Sequence, residues 1–170
     1  MKKIIMLVVL FLNTTSISIA SENKEKNNQE VKTIDGIIAA LYDVISGPAG
    51  ERDWERLKFL CKPSVQFNMV VKNKDGKNLF IGGNIEKYIQ SSGVYFLKNN
   101  FYETETARKT HEFGPIAQVF SAFQSSSEQA GKPFDSGVNS IQLCYDQERW
   151  WVVNVIWTSE TEENTVQENF

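Results

Sequence analysis

The sequence predicts an α+β fold, with helices packed on a sheet that dominates the C-terminal half. Two observations carry this. Before Phe101 apolar residues recur with a helical period in three stretches, interrupted by one hairpin, and from Phe101 onward the period gives way to four consecutive β segments. Helices first and an antiparallel meander afterwards are the pattern of an α+β domain with helices gathered on one face of the sheet.

The chain opens with Lys2 and Lys3, the unbroken apolar run Ile4–Leu12, and small residues at Ser18 and Ala20. These are the parts of a secretory signal peptide cleaved after Ala20. A nine-residue apolar run is too short for a membrane span, which needs about 20 residues. No cysteine follows the cleavage point to take a lipid. The expectation is a secreted or periplasmic protein with no stable membrane anchor after cleavage. Loss of Lys2 and Lys3 leaves 16 basic against 21 acidic side chains, a formal charge of −5 in place of −3. That balance argues against nucleic acid as a partner. Residues 21–31 are polar and read as a disordered leader, residues 161–170 as an acidic flexible tail, and 32–160 as one domain.

Thr33 caps a helix whose Ile34, Ile37, Ile38, Leu41, Tyr42 and Ile45 form one apolar stripe, stopped by Gly47-Pro48. A shorter helix beginning near Asp53 presents Trp54, Leu57 and Leu60 and ends before Pro63. Val65, Phe67, Met69 and Val71 alternate, and Asp75-Gly76 turns the chain into Leu79–Ile81 as a hairpin. Asn84 caps a third helix carrying Ile85, Tyr88 and Ile89, weakened at its far end by Gly93. Four strands follow: Phe101–Glu112, Ile116–Gln124, Val138–Tyr145 and Trp150–Trp157. A turn at Phe113-Gly114 sets Glu112 opposite Pro115 and places Tyr102, Thr104, Thr106, Arg108 and Thr110 on the inward face, with Glu103, Glu105 and His111 on the other. A turn at Asp146–Arg149, closed by Tyr145 opposite Trp150, aligns Leu143 with Val152 and Ile141 with Asn154. Asn139, Asn154 and Ile156 then share one face, and Gln142, Trp151 and Trp157 the other.

The stretches GPIAQVFSAFQ and GKPFDSGVNSIQLCYDQERWWVVNVIWTSE, preceded by an amphipathic helix and a short helix running into LKFLCKPSVQF, resemble the nuclear transport factor 2-like superfamily, and more closely its secreted bacterial members. The resemblance covers about residues 32–160. It implies a cystatin-like cone: a strongly curved antiparallel sheet wrapped around three N-terminal helices, with a pocket between them and dimers formed across the sheet backs. Relatives include ketosteroid isomerase, scytalone dehydratase, limonene epoxide hydrolase and polyketide cyclases, together with members that only bind, so the fold does not choose between them. Gln147-Glu148 stands where relatives commonly have a glycine in the last hairpin turn.

Arg108, ringed by hydroxyls on the inward face, either anchors an anionic ligand group or pairs with Asp35, Asp43 or Asp53 on the covering helices. Asn139 and Asn154 are the polar points of a mainly apolar face, Ser121 lies beside Arg108, and Tyr42 closes the pocket from the first helix. These five residues form the candidate ligand site. His111, the single histidine, sits beside a turn in a solvated setting, and Glu103 with Glu105 reads as surface charge. Trp151, Trp157 and Gln142 form the candidate dimer interface. No metal set, phosphate loop or nucleophilic triad is present, and no cofactor is expected. Cys61 and Cys144 are either bridged or buried separately. The expected function is binding of a small apolar or anionic molecule without catalysis. The alternatives are a cofactor-independent isomerase, dehydratase or hydrolase acting on a small hydrophobic substrate, and a dimeric assembly module.

Overall fold

The computed structural model describes residues 22–170. The segment 1–20, where a signal peptide is expected, lies outside them. Helix α1 (22–30) leads into α2 (Ile34–Ile45) and α3 (Trp54–Leu60), followed by β1 (Cys61–Lys72), β2 (Asn78–Asn84), α4 (Ile85–Phe96), β3 (Tyr102–Phe113), β4 (Ile116–Ser126), β5 (Pro133–Asp146), β6 (Arg149–Ser159) and the short α5 (Val166–Asn169). The caps Thr33 and Asn84 fall where the sequence places them, and Asp53 caps the helix expected to begin near it. Thr33, Asp53 and Asn84 accept from the backbone N–H groups of Gly36, Arg56 and Lys87, satisfying donors that the first helical turn leaves unpaired.

The six strands form one sheet in the order β2-β1-β6-β5-β4-β3, with every neighbouring pair antiparallel except β1 and β6. One face packs on the helices: Ile37, Ile38, Leu41, Leu57 and Leu60 meet Val65, Val119, Ile141, Leu143 and Val152, all buried. Arg52 ties off the C-terminus of α2. Its guanidinium donates to the carbonyls of Ile45, Gly47, Pro48 and Gly50 at 2.8–3.2 Å and lies 4.8 Å from the Phe96 ring centre.

Two bulges change the predicted faces. The β3–β4 turn is Gly114-Pro115, with Phe113 opposite Ile116 and Gly114 at φ 56°, the positive φ that a type II′ hairpin wants at its first loop position. This moves the register by two residues from the expectation and preserves the faces as far as Ala107. Between Ala107 and Glu105 one extra residue enters β3, so Glu105 opposes Phe123 and Glu103 opposes Ser125. Both carboxylates thereby turn to the helix-facing side, against the prediction of surface charge. In β6 the alignment of Leu143 with Val152 is as predicted, but a bulge then sets Ile141 against Val155 and Asn139 against Trp157. Asn154 and Ile156 go to the outer face, and Trp157 comes in.

The two described segments flanking the domain, 22–30 and 161–170, make contacts with it where composition reads disorder. Residues 22–30 are helical, and Glu30 pairs with Arg56 at 3.0 Å while Val31 accepts from the Trp150 N–H at 2.8 Å. Composition misses this because the segment is tied down by distant partners, with no apolar stripe of its own. The acidic tail folds back: Val166 N–H donates to Glu160 at 3.0 Å, Lys72 reaches Glu163 at 3.2 Å, and Lys109 lies 5.5 Å from the Phe170 ring centre. Cys61 and Cys144 are unbridged, and burial pushes the Cys61 thiol up to about 12.

Candidate functional site

Between α2, α4 and the inner face of the sheet lies a cavity of about 440 Å³, within the range of small-molecule sites. Helix α2 supplies Tyr42, the start of β3 supplies Glu103, β5 supplies Asn139 and β6 supplies Trp157. Strands β1 and β2 close one side, and α4 contributes Tyr88. Gly82 permits the close approach of β2 to β1 at this rim, since a Cβ there would stand 2.3 Å from the Phe67 carbonyl oxygen. Exposed Ile81, Lys87, Ser91 and Tyr95 mark the mouth; buried Tyr42, Phe67 and Asn139 mark the inner end.

The walls are mainly apolar, with aromatic rings the largest part. Tyr88 stacks on Phe67 with ring centres 4.5 Å apart and meets Trp157 edge-on at 6.3 Å. At the inner end Glu103 is the one carboxyl group lining the cavity among the described residues. Its Oε2 accepts from Ser125 Oγ at 3.1 Å and its Oε1 from Asn139 Nδ2 at 3.3 Å. Burial raises its pKa from 4.5 to about 7, the two hydrogen bonds offsetting part of that rise. Burial also holds the Tyr42 and Tyr88 hydroxyls well above the usual phenol range, so both are neutral.

A hydrogen-bonded series runs from this carboxyl to the domain edge. Asn139 Nδ2 reaches Tyr42 Oη at 3.1 Å, Tyr42 Oη meets Ser121 Oγ at 2.7 Å, and Ser121 bonds Glu105. Arg108 grips both Glu105 oxygens, with Nε 2.7 Å from Oε1, and also bonds Asp35. Of the five predicted ligand-site residues, Tyr42 and Asn139 line the cavity. Ser121 is fully buried behind Tyr42. Arg108 does not line it, because its guanidinium is committed to Glu105 and Asp35, the ion-pair alternative. Asn154 lies on the outer face between Gln66 and Gln142, moved there by the β6 bulge.

The predicted dimer set divides as well. Trp157 is a cavity wall. Trp151 and Gln142 stay on the outer face, where Trp151 is covered by its own chain's cations, Arg149 at 3.7 Å and Lys62 at 4.3 Å from the ring centre. His111, opposite Gln118 on the outer side of β3, is remote from Glu103. Glu103 is the residue that strand alternation misses. The signal in the sequence was weak: two acids two residues apart at the start of a strand beside Phe101, in a segment whose length leaves room for a bulge.

No protein-family model and no curated protein sequence matches the chain. Solved structures match its fold. A nuclear transport factor 2-like superfamily protein from Salmonella enterica superposes with a TM-score of 0.57 over 85% of this chain and 98% of its own, at 15% identity. A putative dehydratase of the nuclear transport factor 2-like family from Streptomyces avermitilis gives 0.57 over 79% and 98%, at 12% identity. A protein of unknown function with a cystatin-like fold from Nostoc punctiforme gives 0.55 over 74% and 87%, at 9% identity. The chain therefore has the nuclear transport factor 2-like, cystatin-like cone fold.

Proposed function

We propose that the cavity takes up a small, largely apolar molecule and that Glu103 exchanges a proton with it, as a cofactor-independent acid–base enzyme of the isomerase, dehydratase or hydrolase class. The observation that carries this is a carboxyl group at the inner end of an aromatic cavity, held by Ser125 and Asn139 and raised to about 7. A carboxyl titrating there is present in both protonation states near neutrality, so it can take up or release a proton with little thermodynamic penalty. A fold neighbour described as a putative dehydratase supports the class without identifying a substrate.

Binding without catalysis is the second reading. Its support is that, among the described residues, Glu103 has no second carboxyl beside it in the cavity lining to complete a paired acid and base. One experiment separates the two. The protein is incubated in deuterated water with a small-molecule extract of its own host, and retained or altered compounds are read by mass spectrometry. Glu103-dependent deuterium incorporation, absent with Glu103→Gln, is the enzyme result. Compounds retained unlabelled by both proteins would replace catalysis with carriage.

The signal segment carries the further proposal that this chemistry takes place outside the cytoplasm. The outer face around Gln142 and exposed Ile116 carries the proposal of a second copy there, checked by light scattering of the purified chain.

A further inference from the structure

Hydrogen-bond directions at the inner wall identify what kind of polar group the cavity accepts. The count starts outside the cavity, at Arg108. Its guanidinium binds both oxygens of Glu105, so Glu105 is an acceptor only. Ser121 has one proton, and its bond to Glu105 uses it. Tyr42 must then be the donor in the 2.7 Å bond to Ser121, which uses the Tyr42 proton. Asn139 turns its amide nitrogen to two acceptors, Tyr42 Oη at 3.1 Å and Glu103 Oε1 at 3.3 Å, and both its N–H groups are used.

What these residues have left for a ligand is a set of lone pairs: Asn139 Oδ1, the unused pair on Tyr42 Oη and, when Glu103 is ionised, the free pairs of its carboxylate. Both bonds of Asn139 run from Nδ2, and among the described residues none reaches its Oδ1. The other polar side chains of the lining lie along α4 and on β6, where Trp157 adds an indole N–H away from this set of acceptors. Ser91 donates back into α4, to the carbonyls of Lys87 and Tyr88 at 2.9 and 3.1 Å, Tyr88 pairs with Ser92, and Lys87 stands at the exposed mouth bonded to the Gly82 carbonyl at 2.7 Å.

We infer that the molecule the cavity takes presents a hydrogen-bond donor, a hydroxyl or protonated amine on an otherwise apolar body, to Glu103, Asn139 and Tyr42, and that a carbonyl or carboxylate is disfavoured at that end. The inference rests on the reading of the cavity as a small-molecule site and adds the polarity of its ligand. An acceptor group pushed against this wall would meet unpaired lone pairs and lose its own hydration, whereas a hydroxyl or ammonium group would satisfy at least two of them. Arg108 and Ser121 touch no ligand here. They act as positioning residues, by fixing which way the Tyr42 proton points.

The test uses probes of one skeleton: benzylacetone, the alcohol obtained by reducing its ketone, and the corresponding primary amine, with hydrocinnamate as the carboxylate. Affinities for the full-length protein are measured by calorimetry at about pH 8, where a carboxyl of this kind is largely ionised. Displacement of the neutral dye Nile red reports cavity occupancy independently. The expected result is that alcohol and amine bind about tenfold more tightly than ketone and carboxylate.

Ser121→Ala removes the acceptor of the Tyr42 proton, which then points into the cavity. The ketone should gain and the alcohol-to-ketone ratio should collapse toward one. Tyr42→Phe, a second variant in case the first folds poorly, should weaken the alcohol without strengthening the ketone. Equal or reversed preference in the unaltered protein, with Nile red still displaced, would overturn the donor requirement and leave the cavity reading in place. Failure of Nile red and of every probe to bind would overturn both.

Discussion

Replacing Glu103 by Gln tests the electrostatics of the cavity without needing its ligand. In the folded protein the Glu103 carboxyl titrates near 7, raised chiefly by burial, against an ordinary value of 4.5. Between those two pH values the folded chain retains a proton that the unfolded chain has released, so stability falls as the pH rises through this window. The full loss, reached above pH 7, corresponds to about 3 kcal/mol. Gln keeps the shape and can accept from Asn139 and donate to Ser125, so the variant lacks the ionisation cost but not the contacts. Wild type and variant should have similar melting temperatures near pH 5. By about pH 8 the variant should melt higher by about 6 to 12 °C, from the same free energy spread over a domain of this size. Scanning calorimetry across that range reads the difference directly. Parallel curves for the two proteins would refute the argument, since they would mean that Glu103 titrates alike in both states and is not held in a dehydrated setting. A lower melting temperature for the variant at every pH would instead show that the carboxylate's bonds to Asn139 and Ser125 outweigh its burial.

Other perturbations follow from the same coordinates. Arg52→Met strips the carbonyls of Ile45, Pro48 and Gly50 of their donor, Gly47 keeping the Phe101 N–H, and should cost about 3 kcal/mol, read as a lower urea midpoint; a loss under about 0.5 kcal/mol would contradict the capping role. Gln147 and Glu148 hold φ of 53° and 61°, a left-handed pair that Asn-Gly adopts at lower cost, so Gln147→Asn with Glu148→Gly should stabilise by about 1 kcal/mol in urea unfolding. No gain would show that these two side chains compensate for the turn. His111→Gln, on the outer face of β3, should leave Nile red affinity unchanged and stability within about 0.5 kcal/mol, whereas weakened dye binding would place the histidine in the site.

Helix caps, the order of elements and the Tyr145–Trp150 closure were legible because each depends on a few adjacent residues. Thr33, Asp53 and Asn84 cap where a short polar side chain precedes an apolar stripe, and such local rules need no partner. The candidate site was legible in part. Tyr42 and Asn139 line the cavity as expected, but Asn154 and Trp157 exchanged faces and Glu103 moved from surface to interior. Each of these errors traces to a single bulge residue, Thr106 in β3 or Val153 in β6. Alternation has a period of two residues, so one inserted residue reverses every side chain beyond it.

The sequence by itself determined an α+β chain, its cone-type resemblance and the residues able to cap and turn it. Tertiary structure decided the chemistry of the interior. Whether a glutamate is solvated or enclosed depends on which face its strand turns to helices far away in the chain. Pairing between β3 and β4 admits the bulge that carries Glu103 inward, and α2 then supplies the Tyr42 that helps enclose it. An unpaired strand retains no information about that choice, because the two faces become inequivalent only once the sheet has something to cover it.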